Sequence, residues 1–314
     1  MVSQTVAYVV TVVVALIVLI RRTGRIKFLP NRLVTVAVLK QSLPFALLVL
    51  LMASYNRLDP VLLQSFSVGG AGNFNAGIYA GAFRMLDALT MIAYLVSVPL
   101  LPTFSRLSHA IRQDDTRHDS AVQLKETVRM MTSLMVVFAV SVAMLMSTQS
   151  YNVMNFFYQE NVEDYATVFK VLIFGLIPIS LTYVFGTLLT ANGNLKTLNV
   201  LALITLVLNV ILNIVLIPRY GSVGSAIAGV TAQSFMALSQ VVVSLSLFRM
   251  RASVTYIIKL VCFTLIIVIL SKWLEGFTWW VPFVAVTVVA VLLSVAMKII
   301  DIKEIIIDNK LKYK

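Results

Sequence analysis

Residues 43–66, LPFALLVLLMASYNRLDPVLLQSF, and residues 76–101, AGIYAGAFRMLDALTMIAYLVSVPLL, decide the fold. A helix that crosses a bilayer needs about 20 mostly apolar residues at 1.5 Å of rise each. Both runs reach that length, and each carries a single Arg and a single Asp. The connection between them, Ser67–Asn75, is rich in Gly and uncharged. Two such runs joined by so short a turn predict a transmembrane helical hairpin.

Working outward, seven more apolar runs of similar length lie at about 4–20, 129–148, 166–190, 197–217, 221–247, 255–273 and 278–298. The whole 314-residue chain thus reads as all-α, a polytopic helical membrane protein of about nine transmembrane helices. The composition agrees. A, V, I, L, M, F, W, Y and C make up 60% of residues and charged residues 12%, about half the share typical of a soluble domain. That excludes a soluble enzyme, a disordered chain and a disulfide-stapled secreted domain. Cys262 is the single cysteine, so neither an internal disulfide nor a Cys/His metal site can be built. No metal and no cofactor is expected.

The net charge of +12 invites a nucleic-acid reading. Its distribution argues otherwise. If the first span runs from outside to inside, 20 of the 25 Lys and Arg residues fall in cytoplasmic segments, the pattern that orients membrane proteins. Only Arg219 and Lys272 fall on the outer side, and Arg57, Arg84 and Lys170 lie within spans. The C-terminus is then cytoplasmic, and no nucleic-acid partner is needed. A signal peptide at the start is disfavoured, because Arg21 and Arg22 follow the apolar core instead of preceding it. Ser42 and Pro44 read as the start of the second span. The residues before them, 31–41, and the Lys/Asp/Glu-spaced stretch 298–312 look interfacial.

Chemistry points to the central hairpin. A charge at the bilayer centre costs at least about 2.5–3.5 kcal/mol, so intramembrane Arg and Asp mark function or pairing. Counted at the helical rise, Asp59 lies level with Arg84, and Arg57 with Asp87, all within about 6 Å of depth. The hairpin can therefore hold two cross-helix ion pairs, and Arg84 and Asp87, three residues apart, can also pair within their own helix. They serve either as a structural clamp or as the wall of an anion-contacting cavity, Arg being suited to phosphate by its planar fork. Asn209 with Asn213, and Gln233 with Gln240, share helix faces and read as interhelical hydrogen-bonding groups. Lys170 reads as a snorkelling side chain. Glu160, Glu163 and Asp164 make one outer connection acidic. His109, His118, Asp114, Asp115 and Asp119 share an inner loop without a ligand or catalytic pattern, and no phosphate-binding Gly-Lys-Ser/Thr loop is present.

Several stretches together resemble the multidrug/oligosaccharidyl-lipid/polysaccharide exporter superfamily, and within it the polysaccharide (O-antigen and capsule repeat-unit) flippases of bacteria. They are YNRLDPVLL (55–63), AGIYAGAFRMLDALTMIAYLVSVPLLPTFSRL (76–107) and LNIVLIPRYGSVGSAIAGVTAQ (212–233). The resemblance implies two six-helix lobes around a central cavity. Residues 1–20 would be the last helix of the first lobe and 21–42 a cytoplasmic linker. Residues 43–247 would be the six-helix second lobe, 248–298 two additional helices and 299–314 a cytoplasmic tail. Most of a first lobe would then be absent, and the chain alone is expected not to replace a flippase. The implied function is translocation of a polyprenyl-diphosphate-linked oligosaccharide by alternating access in the bacterial inner membrane. Its partners would be the lipid-linked oligosaccharide, membrane lipids and the glycosyltransferases or polymerase of the same pathway. Arg57, Asp59, Arg84 and Asp87 are the candidate substrate-binding residues. A cation-coupled multidrug exporter, in which Asp59 and Asp87 titrate, and a non-transporting membrane scaffold remain as alternatives.

Overall fold

A computed structural model of the protein describes residues 2–23, 32–112, 117–250, 253–274, 276–277, 280–297 and 299. Helices account for nearly all of them, and none of the described residues is in a strand. The elements are α1 (Val2–Thr23), α2 (Arg32–Arg57), α3 (Asp59–Phe66), α4 (Gly72–Ser97), α5 (Leu100–Arg112) and α6 (Arg117–Thr148). There follow α7 (Ser150–Phe157), α8 (Val162–Leu172), α9 (Leu176–Ala191), α10 (Leu195–Leu247), α11 (Val254–Trp273) and α12 (Trp280–Ala296). The chain divides into two units, Met1–Pro44 and Phe45–Lys314.

Among the described residues, six helical stretches are long and apolar enough to cross a membrane: Arg32–Tyr55, Gly72–Arg112, His118–Thr148, Val162–Ala191, Leu195–Leu247 and Val254–Trp273. Tyr8–Arg21 and Trp280–Ala296 are shorter apolar helices. Every expected span falls on a helix, and the chain is a polytopic all-α membrane protein. Two expected spans share α10, which is broken at Gly221 with φ 55° and ψ −131°, a conformation open only to glycine. There the chain folds back: a Cβ on Gly224 would run into the Leu216 carbonyl. Ser225 Oγ donates to Asn213 Oδ1 at 2.7 Å, and Thr205 Oγ1 meets Met236 Sδ at 3.5 Å. These pairings run antiparallel, so α10 is a hairpin of two passes.

One expected boundary is displaced. The second span does not open at Ser42 and Pro44; α2 starts at Arg32 and carries Pro44 in its interior. Proline removes one backbone donor. In an apolar medium, where every other backbone group must be paired, continuing the helix outweighs that single lost bond. The interfacial stretch expected over 298–312 lies outside the described residues apart from Ile299, as do Asp114, Asp115, residues 24–31 and the tail from residue 300.

In the second unit the main core joins α3, α4, α6, α8, α9 and α10 through Leu63, Tyr79, Leu86, Ala143, Phe169, Leu176 and Ile217. A second cluster joins α5, α6 and α9 through Phe104, Leu124 and Leu188. A third packs α11 and α12 on α6 through Val140, Phe263, Ile267 and Val286. Ends expected on one side of the membrane lie together. Arg112 Nη2, at the end of α5, donates to the carbonyl and side-chain oxygens of Asn192 at 3.0 and 3.1 Å, which satisfies the C-terminus of α9. At the other end of the bundle, Ser147 Oγ donates to the Lys170 carbonyl at 3.2 Å, and Lys170 itself is exposed.

Candidate functional site

Arg57 and Asp59 stand on either side of a bend at Leu58, which keeps helical φ and ψ and donates to the Ser54 carbonyl at 2.9 Å. Arg57 ends α2, and Asp59 opens α3 with Pro60 in its first turn, where the missing proline donor costs nothing. Two residues apart, their side chains leave the chain in different directions. Arg57 is exposed, and Asp59 is 3% exposed.

Asp59 is the centre of a buried polar cluster formed by three elements. Tyr79 Oη on α4 donates to Asp59 Oδ2 at 2.5 Å. Asn213 Nδ2 and Asn209 Nδ2, both on the first pass of α10, donate to Asp59 Oδ1 at 3.0 and 3.2 Å. Ser225, on the second pass, holds Asn213 through its Oδ1. Gly229 lies beside the cluster, where a Cβ would stand 3.1 Å from Asp59 Oδ2 and 3.4 Å from Tyr79 Oη. A buried carboxyl is tolerated only when its oxygens accept hydrogen bonds. Here phenol and amide donors supply them. The Asn209–Asn213 face therefore binds neighbouring helices, as its i, i+4 spacing suggested.

That arrangement corrects the first expected ion pair. Asp59 does not pair with Arg84. Depth along a helix says nothing of azimuth: Asp59 turns inward to α10, and Arg84 is exposed on α4. Nor do Arg57 and Asp87 form an ion pair, although both line one pocket of about 270 Å³. Tyr55, Phe83, Thr90, Ile179, Tyr183 and Gln233 complete most of its wall. Thr90 Oγ1 donates to the Asp87 carbonyl at 2.7 Å, which fixes the threonine against α4. The pocket joins α2, α4, α9 and the second pass of α10. A cation, a carboxylate and hydroxyl and amide groups thus face a shared space.

The four candidate residues consequently divide. Arg57 and Asp87 come together around the pocket, Arg84 faces outward on the same helix as Asp87, and Asp59 is withdrawn into the packing. Tyr79, Tyr183, Thr90 and Ser225 were not singled out from the sequence. Tyr79 follows an ordinary apolar helical pattern and reveals its role only through Asp59, which is 20 positions away. Among the described residues, no group of three or more His, Cys, Asp or Glu could hold a metal ion.

Comparison with known proteins adds to this geometry. A family model described as lipid II flippase MurJ matches residues 1–291. A solved structure of the lipid II flippase MurJ in an inward closed conformation shares the fold, with a TM-score of 0.60 and 18% identity over 88% of this chain. The chain spans 57% of the length of that structure. No curated protein matches the chain.

Proposed function

The chain belongs to the lipid II flippase family, and we propose on that footing that it takes part in moving a polyprenyl-diphosphate-linked peptidoglycan precursor across the membrane. The observation that carries the reading is the pocket that Arg57 and Asp87 both line without forming an ion pair. An arginine in a helical membrane wall that pairs with no carboxylate among the described residues is available to phosphate oxygens, which its planar fork binds bidentately. Lipid II and an O-antigen repeat unit share a diphosphate on a polyprenyl chain. The resemblance to repeat-unit flippases and the family membership therefore agree on the anion and differ on the sugar. The family favours the peptidoglycan precursor.

In this reading residues 43–247 act as one lobe, with 248–298 as two further helices and the C-terminus cytoplasmic. Alternating access would rock this lobe against another around a mid-membrane site. No covalent chemistry is required of the chain.

Binding tests the proposal. The protein in phosphatidylcholine nanodiscs should bind lipid II more tightly than a lipid-linked O-antigen unit. Arg57→Ala should weaken lipid II binding about tenfold, the loss of one charge-assisted hydrogen bond. Membrane abundance should stay near that of the wild type, because no ion pair is broken. Binding of lipid II no better than bulk phospholipid would overturn the reading.

A further inference from the structure

At the end of the bundle where Arg112 meets Asn192, the last turns of α5 and α10 and the first turns of α6 line a pocket of about 390 Å³. Its size falls within the roughly 300–1,000 Å³ of small-molecule sites. Ile111 of α5, Leu124 of α6, and Phe248 and Met250 just after α10 give it an apolar wall. Lys125 and Arg249 are its two charged groups. Both are exposed, and neither side chain has a hydrogen-bond or ion-pair partner among the described residues. Glu126 does not line the pocket: it follows Lys125 by one position and leaves the helix about 100° further round.

The backbone holds Arg249 there in a costly conformation. Where α10 stops, the Met250 amide donates to the Leu245 carbonyl at 2.9 Å and the Arg249 amide to the Ser246 carbonyl at 3.3 Å. That pair of bonds calls for a left-handed residue just beyond the helix cap, usually glycine and sometimes asparagine. Arg249 fills the position with φ 48°, although its Cβ crowds the following carbonyl. Its neighbours Phe248 and Met250 pack against the core of Leu107, Leu124 and Leu188, so the arginine is fixed between two anchored side chains. Strain retained at a pocket rim points to a use for the side chain that causes it. Lys125 stands five residues before Met130, where α6 enters its uncharged stretch, 130–148. At the helical rise that is roughly 7–8 Å outside the apolar run, within a headgroup layer of roughly 5–8 Å.

We propose that this pocket binds the headgroup of an anionic phospholipid. The phosphate lies between Lys125 and Arg249, and the start of an acyl chain lies on Ile111 and Leu124. Charge selects an anion, because two cations and no carboxylate line the space. The apolar wall selects an amphiphile over a free phosphate. A basic pocket between helix ends at headgroup level is the arrangement that holds such lipids. The inference stands apart from the transport reading, since this pocket and the Arg57–Asp87 pocket share no residue.

The test uses the whole protein in detergent, with phosphatidylglycerol as titrant, phosphatidylcholine as the neutral comparison, and bound lipid counted by native mass spectrometry. Phosphatidylglycerol should bind more tightly than phosphatidylcholine. Lys125→Gln and Arg249→Gly should each weaken phosphatidylglycerol about fivefold, the worth of one basic residue near a lipid surface, and leave phosphatidylcholine unchanged. Arg249→Gly also relieves the left-handed backbone. Its unfolding temperature in lipid-free detergent should therefore rise while its lipid affinity falls, whereas an arginine that only supported the fold would lower both. Lys170→Gln, exposed at the other end of the bundle, is the control and should change nothing. Wild-type affinity for phosphatidylglycerol in the double variant Lys125→Gln with Arg249→Gly overturns the proposal. An equal loss in Lys170→Gln also overturns it, because binding would then follow overall charge. Displacement of phosphatidylglycerol by an equal concentration of glycerol phosphate overturns the lipid assignment and leaves a site for free anions.

Discussion

A single carboxyl group ties α3 to α4 and to the first pass of α10. Asp59 gathers Tyr79, Asn209 and Asn213, and through Asn213 it holds Ser225. Asp59→Ala leaves Tyr79 Oη and Asn209 Nδ2 buried without an acceptor, while Asn213 Nδ2 keeps the Asn209 carbonyl at 3.0 Å. It should cost on the order of 3 kcal/mol or more, whereas Tyr79→Phe removes one bond to a carboxyl and should cost about 1.5–3 kcal/mol. Thermal unfolding in detergent would rank them. The exchange Asp59→Arg with Arg84→Asp should fail to restore abundance, because the two side chains do not meet; full recovery would show that they do. At this scale the sequence was half legible. The presence of four charges within two apolar runs could be counted along the chain. Their azimuth could not, because it depends on the bend at Leu58 and on which helix α3 packs against. Asn209 and Asn213 announced a shared polar face by their spacing, and only the fold shows that Asp59 is what they bind.

Among the elements, the fold-back inside α10 is the most demanding backbone feature. Gly221 occupies a region closed to other residues, and Gly224 touches the Leu216 carbonyl with no room for a side chain. Gly224→Ala should force the two passes apart at their turn and lower stability by roughly 1–3 kcal/mol, the range for strain that the backbone must absorb. Gly77→Ala, in open space on α4, should be neutral or slightly stabilising. Equal behaviour of the two in a denaturation series would contradict the fold-back. Helix existence was legible throughout, since apolar runs of about 20 residues have few alternatives. The run 221–247 was separated correctly from 197–217 because GSVGSAIAGV interrupts the bulky apolar pattern. The entry to α2 was misplaced, because Ser42 and Pro44 mimic a helix start and the decisive factor was the backbone's need for partners in an apolar medium.

For the molecule as a membrane protein, the grouping of helix ends supports the topology read from Lys and Arg, and the side that each group faces is open to a direct assay. Cys262, exposed on α11, is the single thiol and can be replaced by Ser. New cysteines at Glu163 and at Arg106 should then react differently with an impermeant maleimide in intact cells, the first labelled and the second protected until the membrane is opened. Labelling of both, or the reverse order, would invert the proposed orientation. The Gly221 turn gives that assay a further meaning. As one straight helix, the 53 residues of α10 would extend about 80 Å, more than twice the hydrocarbon thickness of about 30 Å. Folded, they cross twice and return the chain to the side it left. Sidedness depends on the parity of crossings, so this one backbone reversal fixes which compartment receives the start of α11, the end of α12 and every basic residue beyond them. A mutation that only loosened a helix would change a stability; one that abolished this turn would transpose inside and outside for everything after Leu247, about a fifth of the protein.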